Sequence, residues 1–199
     1  MTFKQFELIS NPYPSLSDKS LAFSGQAFFL IFQLCQISML STRPYLYASE
    51  HQMETRESHT QKLKAMYESA PVNQIHFKGT RILFETDHVE ISCETNPSHH
   101  HAGGSVHGAV AFKLLDDAAY FSCQMLEMQF FLLTASFQIH FVRPVTTTRI
   151  TAIGRIRQKS KNLFVAEARL FDERKKELAF GTGSFMKSTM ELSSLETYD

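Results

Sequence analysis

Between His99 and Asp117 the chain reads HHHAGGSVHGAVAFKLLDD. Histidines, glycines and two adjacent aspartates in one short stretch suit three kinds of chemistry. They are a metal centre, a phosphate loop, and a helix start followed by a catalytic carboxylate. His99, His100, His101 and His107 would suffice in number for zinc. Three adjacent histidines do not readily point at one ion, however, no Cys or carboxylate stands at a recognised spacing, and HExxH is absent. No metal is expected. Gly103-Gly104 is not followed by the GK[ST] of a phosphate loop.

The aspartates remain. Lys113 lies four residues before Asp117, so the two can meet on one helix face, and Asp117 reads as its solvated partner. Asp116 shares its face with Phe112, Ala119, Tyr120 and Cys123, an apolar lining without a cation. A carboxylate is costly there unless a pocket uses it.

These residues need elements to hold them. From Gly108 to about Met128 there is no Pro or Gly, and apolar residues recur at threes and fours. The pattern predicts one long helix, apolar nearly all round and therefore buried. Before it, ESHTQKLKAMYESAP predicts a short helix ended by Pro71, and RILFET and HVEISCE predict two strands around a turn at Asp87. After it, FLLTASFQIHFVRP, TRITAIGRIRQ, NLFVAEARLFD and ELAFGTGSFMKS predict four strands, and their short connections suggest an antiparallel meander. A helix apolar on most sides needs more cover than one sheet face supplies. Either the sheet wraps around it or a second subunit helps.

Bulk properties exclude several classes. A chain of 199 residues suits one domain with a real core. Its formal net charge of zero gives no global pull toward nucleic acid or an anionic membrane. Cys35, Cys93 and Cys123 are far apart and form no CxxC, so a disulfide framework is not expected and a cytoplasmic, reducing location fits. Residues 1–52 differ from the rest. Their apolar run from Ala27 to Leu40 falls short of the ~20 residues of a membrane span, and Gln33 and Gln36 interrupt it. Lys4 and Lys19 make a weak basic region, and no A-x-A follows the run. The segment reads as a poorly ordered extension or translated upstream sequence. The working domain is then 53–199.

HGAVAFKLLDDAA resembles the helix opening of the hotdog-fold acyl-CoA thioesterases, in the branch typified by the phenylacetyl-CoA-type (PaaI) enzymes. In that branch a His-Gly turn starts the central helix and an acidic residue follows nine positions after the His, as Asp116 follows His107 here. TASFQIHFVRP and GRIRQKSKNLFVAEARLFDERKKELAFGTGSFM resemble the strands that follow, so the likeness covers about residues 65–190. It departs at two positions. The family's second Gly is Ala109, and its Asn six residues before the His is His101. The resemblance implies an α+β hotdog fold, in which an antiparallel sheet wraps one long central α-helix, and a homodimer or homotetramer.

The resemblance also implies roles. Asp116 would be the general base for water or the direct nucleophile on the acyl carbon. His107 and Gly108 would open the helix, where free N–H groups stabilise a developing oxyanion. Thr134 falls where the family often carries a water-orienting hydroxyl; it reads equally as a β-favouring strand residue. His101 could stand in for the Asn, while His99 and His100 read as solvated loop residues. Arg155, Arg157, Lys159 and Lys161 alternate, and a strand running that far would place them on one face. That face is either a solvated edge or, with Arg143, a cradle for coenzyme A phosphates. Coenzyme A arrives within the substrate, so no separate cofactor is needed.

Nine residues of helix put Asp116 about 13 Å along the axis from His107. One carbonyl cannot reach both on one chain, so a site using both spans two subunits. The expected function is hydrolysis of an acyl- or aroyl-CoA thioester. The alternatives are a non-catalytic acyl-CoA binding protein, a hotdog dehydratase, or a thioesterase acting on acyl carrier protein.

Overall fold

The computed structural model describes residues 56–198. The expected extension 1–52, with its apolar run, lies outside the described residues. Helix α1 covers residues 56–69 and α2 covers Pro71–Ile75. Strands β1 (Arg81–Phe84) and β2 (Val89–Glu94) form a hairpin, followed by a single 3₁₀ turn at Pro97–His99. The long helix α3 is Gly108–Gln124. Strands β3 (Phe130–Phe141), β4 (Arg149–Lys159), β5 (Leu163–Asp172) and β6 (Glu177–Glu191) complete the sheet. No helix among the described residues is long and apolar enough to cross a membrane.

All pairings are antiparallel, and the order across the sheet is β1-β2-β4-β5-β6-β3. This corrects the expected four-strand meander. Only β4, β5 and β6 follow one another; β3 lies on the far side of β6. Its length explains the choice. The register runs from Phe130 opposite Glu191 to Phe141 opposite Ala179, a pairing that only the long β6 can complete. Gly181 and Gly183 make room for the Phe137 ring, which a Cβ at either position would meet within 2.6 Å. The link after β3 is tied to the start of β6, where Leu178 O accepts from Val142 N (2.8 Å) and Arg143 N (3.0 Å).

Helix α3 lies against the sheet through small residues. Ala111, Ala118 and Ala119 face Ala152, Ala166 and Ala168, all essentially inaccessible to solvent. The closest approach is at Gly154, where a Cβ would stand 2.0 Å from Ala118 O. A helix backbone this near a strand requires glycine beneath it.

The sheet does not enclose the helix completely. Val110, Leu114, Leu115, Ala118 and Cys123 are buried, but Phe112 is 40% exposed, and Lys113, Asp116, Asp117 and Tyr120 are only partly covered. The expectation of a helix apolar all round therefore gives way to one open stripe, and that stripe carries the aspartates. The helix also ends earlier than the pattern predicted. Gln124, fully buried, receives Leu132 N (2.9 Å) and the Tyr120 hydroxyl (3.0 Å) on Oε1, and donates from Nε2 to Glu127 O (2.7 Å) and Phe130 O (3.0 Å). One amide thus satisfies the turn into β3.

Helix α1 docks through Leu63, Met66 and Tyr67, the spacing its sequence predicted. Pro71 ends it and also opens α2, where proline's missing N–H costs nothing. His59 donates from Nε2 to Gln124 O (3.0 Å), leaving Nδ1 to accept from the Tyr198 hydroxyl. Burial holds its pKa below the ordinary value, consistent with a neutral ring.

Candidate active site

Asp116 projects from the open stripe of α3 into a cavity of about 320 Å³. Across from it on β3, Thr134 donates its hydroxyl to both carboxylate oxygens, at 3.3 and 3.4 Å. Burial, reinforced by the neighbouring Asp117 charge, pushes the Asp116 acid up to about 6, against the opposing pull of Thr134 and Lys113. A carboxylate poised near neutrality beside an orienting hydroxyl can take a proton from water or attack directly.

Asp117 pairs with Lys113 as the i, i+4 spacing predicted. The pair is not solvated as expected. Its side chains are only 15% and 23% exposed, because Tyr67 of α1 covers them. Lys113 Nζ donates to the Tyr67 hydroxyl (3.3 Å) and lies 4.8 Å above its ring. Burial raises the Asp117 acid, and Lys113 opposes that rise.

The helix start faces a different cavity. Gly108 lines a space of about 400 Å³ with His101, Ser105, Phe141, Val142 and Arg143 among its walls. Phe141 lies over Gly108, so a Cβ there would meet its Cζ at 3.0 Å. His107 caps α3, with Nδ1 accepting from Ala109 N (3.0 Å). That ring therefore carries its proton on Nε2. Val110 N is taken by His107 O (3.0 Å), which leaves the Gly108 N–H outside both capping bonds.

His101 belongs to this second cavity but is folded onto its own loop. Nδ1 accepts from Gly103 N (2.9 Å), and Nε2 meets Ser105 Oγ (2.7 Å). His99 corrects an expectation: it is 6% exposed, not solvated. It stacks on Phe77 with ring centroids 5.8 Å apart, because α2 and the segment after it cover the loop. His100 is exposed. Among the described residues, no three His, Cys, Asp or Glu side chains form a group that could hold a metal ion.

The basic residues do not form one stripe. A bulge between Ile156 and Gln158 leaves Arg157 as the extra residue, and the alternation flips behind it. Arg155 pairs with Asp87, and Arg157 with Glu167. Lys159 lies 5.5 Å over Phe164 and donates to Leu126 O (2.7 Å). Lys161 stands in the exposed turn beyond the strand. Arg143 donates to Glu177 O (2.5 Å) while lining the Gly108 cavity.

The structure thus brings Asp116 and Thr134 together, and gathers Gly108, His101 and Arg143 elsewhere. Sequence reasoning missed Tyr67 and Phe141 as site residues. Tyr67 had only a core spacing to its name, and nothing in the pattern tied it to Lys113. Phe141 was visible as the aromatic closing its strand.

A six-stranded antiparallel sheet against one long helix is the α+β hotdog fold. The family model described as the thioesterase superfamily matches residues 103–179, which hold both cavities' α3 residues. Over that segment the chain is similar to the thioesterase superfamily. Solved structures share the fold. The PaaI protein of the E. coli phenylacetic acid degradation operon is 20% identical, covers 68% of this chain and 96% of its own, and superposes with a TM-score of 0.61. A thioesterase family protein from Silicibacter pomeroyi is 22% identical over 65% and 97% of the two chains, TM-score 0.59. A thioesterase from Haemophilus influenzae is 18% identical over 63% and 87%, TM-score 0.57. No curated protein matches by sequence.

Proposed function

We propose that this protein hydrolyses acyl- or aroyl-CoA thioesters to the free acid and coenzyme A, at a site shared between two copies of the chain. The match of residues 103–179 to the thioesterase superfamily model supports thioester hydrolysis in general. The observation that carries the reading is the separation of the two half-sites. Asp116 with Thr134, and Gly108 with Arg143, open into different cavities of one chain. A partner related by a two-fold axis can bring the Gly108 of one copy to the Asp116 of the other. Strand β3 is the sheet edge that would meet it, with Leu133 and Phe141 more than half exposed.

In this reading the thioester carbonyl accepts the Gly108 N–H at the positive end of α3. Thr134 and Asp116 hold a water, and Asp116 takes its proton as the oxygen attacks the carbonyl carbon. The C–S bond breaks, and the thiol leaves with a proton. Direct attack by Asp116 through an anhydride gives the same products. Arg143 and His101 flank the Gly108 cavity, where the polar carrier would lie. His107 is committed to capping, which disfavours a dehydratase using it as base. The free, buried thiols of Cys93 and Cys123 fit a reducing, cytoplasmic compartment.

The test is thiol release from a panel of acyl- and aroyl-CoA thioesters. Release with at least one of them supports the proposal; tight binding without release for any makes this a binding protein instead. Subunit sharing has its own test. Asp116→Asn and Gly108→Val chains, each inactive alone, are expected to recover about a quarter of wild-type turnover when unfolded and reassembled together, since mixed dimers hold one intact site. No recovery would place the whole site in a single chain.

A further inference from the structure

We propose that α1 and α2 gauge the acyl group, with Met66, Tyr67 and Val72 closing the far side of the Asp116 cavity. This rests on the thioester reading above. One side of the cavity is built by Tyr120 and Phe121 of α3 and by Phe131 to Thr134 of β3, inside the segment that matches the family. The other side comes from Met66, Tyr67, Val72 and Asn73, which lie outside that match.

Polarity decides which end of the substrate enters. The Gly108 cavity sets His101, Ser105 and Arg143 among apolar walls such as Val106 and Val142 and is the more polar of the two, which suits the phosphate-bearing carrier better. Behind Asp116 the walls are mainly aromatic and aliphatic, with Asn73 and Thr134 as the neutral polar groups, and the charged Lys113 and Asp117 are already paired with each other. An apolar acyl group gains by burial there.

Tyr67 is a fixed stop. It is 3% exposed, packs edge-on against Phe121 with centroids 5.3 Å apart, and is held by Lys113 at its hydroxyl. Asn73 Nδ2 donates to Tyr67 O (2.6 Å) and so ties α2 to the stop. Val72, 47% exposed, forms the adjustable rim. In an apolar pocket each methylene that fits or fails to fit changes discrimination by about tenfold or more.

The test uses straight-chain CoA thioesters from butanoyl to dodecanoyl. Turnover is measured for each, together with the Kd of the matching non-hydrolysable thioether. Val72→Phe is expected to lower the preference for the longest accepted chain over the next shorter one by about tenfold, and Met66→Ala to raise it by about tenfold. Ile75→Phe, on α2 but facing a different cavity, is expected to keep the wild-type length profile. Identical profiles in wild type, Val72→Phe and Met66→Ala would overturn the gauge while leaving hydrolysis standing. Opposite shifts in Kd without any thiol release would support the gauge and overturn hydrolysis. A wild-type protein that binds no analogue overturns both. Should Met66→Ala fail to fold, Val72→Phe on the exposed rim decides alone.

Discussion

Asp116→Asn is expected to lower kcat by about 10³-fold while leaving affinity for a non-hydrolysable acyl-CoA nearly unchanged. The amide keeps the shape and cannot accept the proton or attack. The wild-type pH profile follows from the same group. Its acid is pushed up to about 6, first by burial and then by Asp117, and in the proposed mechanism the ionised form is the reactive one. kcat/KM should therefore rise from pH 5 and level off above pH 7, with its midpoint near 6. Two variants must move that limb in opposite directions. Asp117→Asn removes a neighbouring negative charge and shifts it to lower pH. Thr134→Val removes a hydrogen bond to the ionised form and shifts it higher. A flat profile, or both variants shifting the same way, would mean that another group carries the proton.

Gly154→Ala is expected to be the most damaging single-methyl change in the fold. The new Cβ would meet Ala118 O at 2.0 Å and Ala119 N at 2.6 Å. Both are helix backbone, so no side chain can turn away, and α3 must lift off the sheet. Overpacking against such a rigid neighbour costs about 3 kcal/mol or more. For a domain of this size that corresponds to a fall of about 10 °C in Tm. Activity should fall with stability, since α3 carries both Gly108 and Asp116. Gly104→Ala is the comparison. Gly104 has φ +82° with nothing within 4 Å of its Cβ position, so only left-handed backbone strain of about 1 kcal/mol applies. Equal thermal shifts in the two variants would refute the helix-on-glycine account.

The two cases differ in what the sequence could reveal. Asp116 was legible because a carboxylate on an apolar helix face is costly, and that cost depends on nearest neighbours in the chain. Gly154 was not. It read as one glycine within a strand, and its importance comes from a helix more than thirty residues away in sequence. The basic residues of β4 failed for a related reason. Strict alternation put Arg155 to Lys161 on one face, but the bulge at Arg157 inverted the pattern, and bulges depend on pairing with β5. His99 likewise looked like solvated loop until Phe77 was found stacked on it.

By itself the sequence determined the local elements and the chemistry that travels with them. Helical spacing set α1 and α3, alternation set the strands, and the offset from His107 to Asp116 fixed a separation too long for one carbonyl. Tertiary structure decided the partners. It sent β3 past β4 to pair with β6, set Thr134 against Asp116, and covered Lys113 and Asp117 with Tyr67. Periodicity records which way a side chain points from its own backbone. What it meets there depends on contacts between distant segments, which no local pattern encodes.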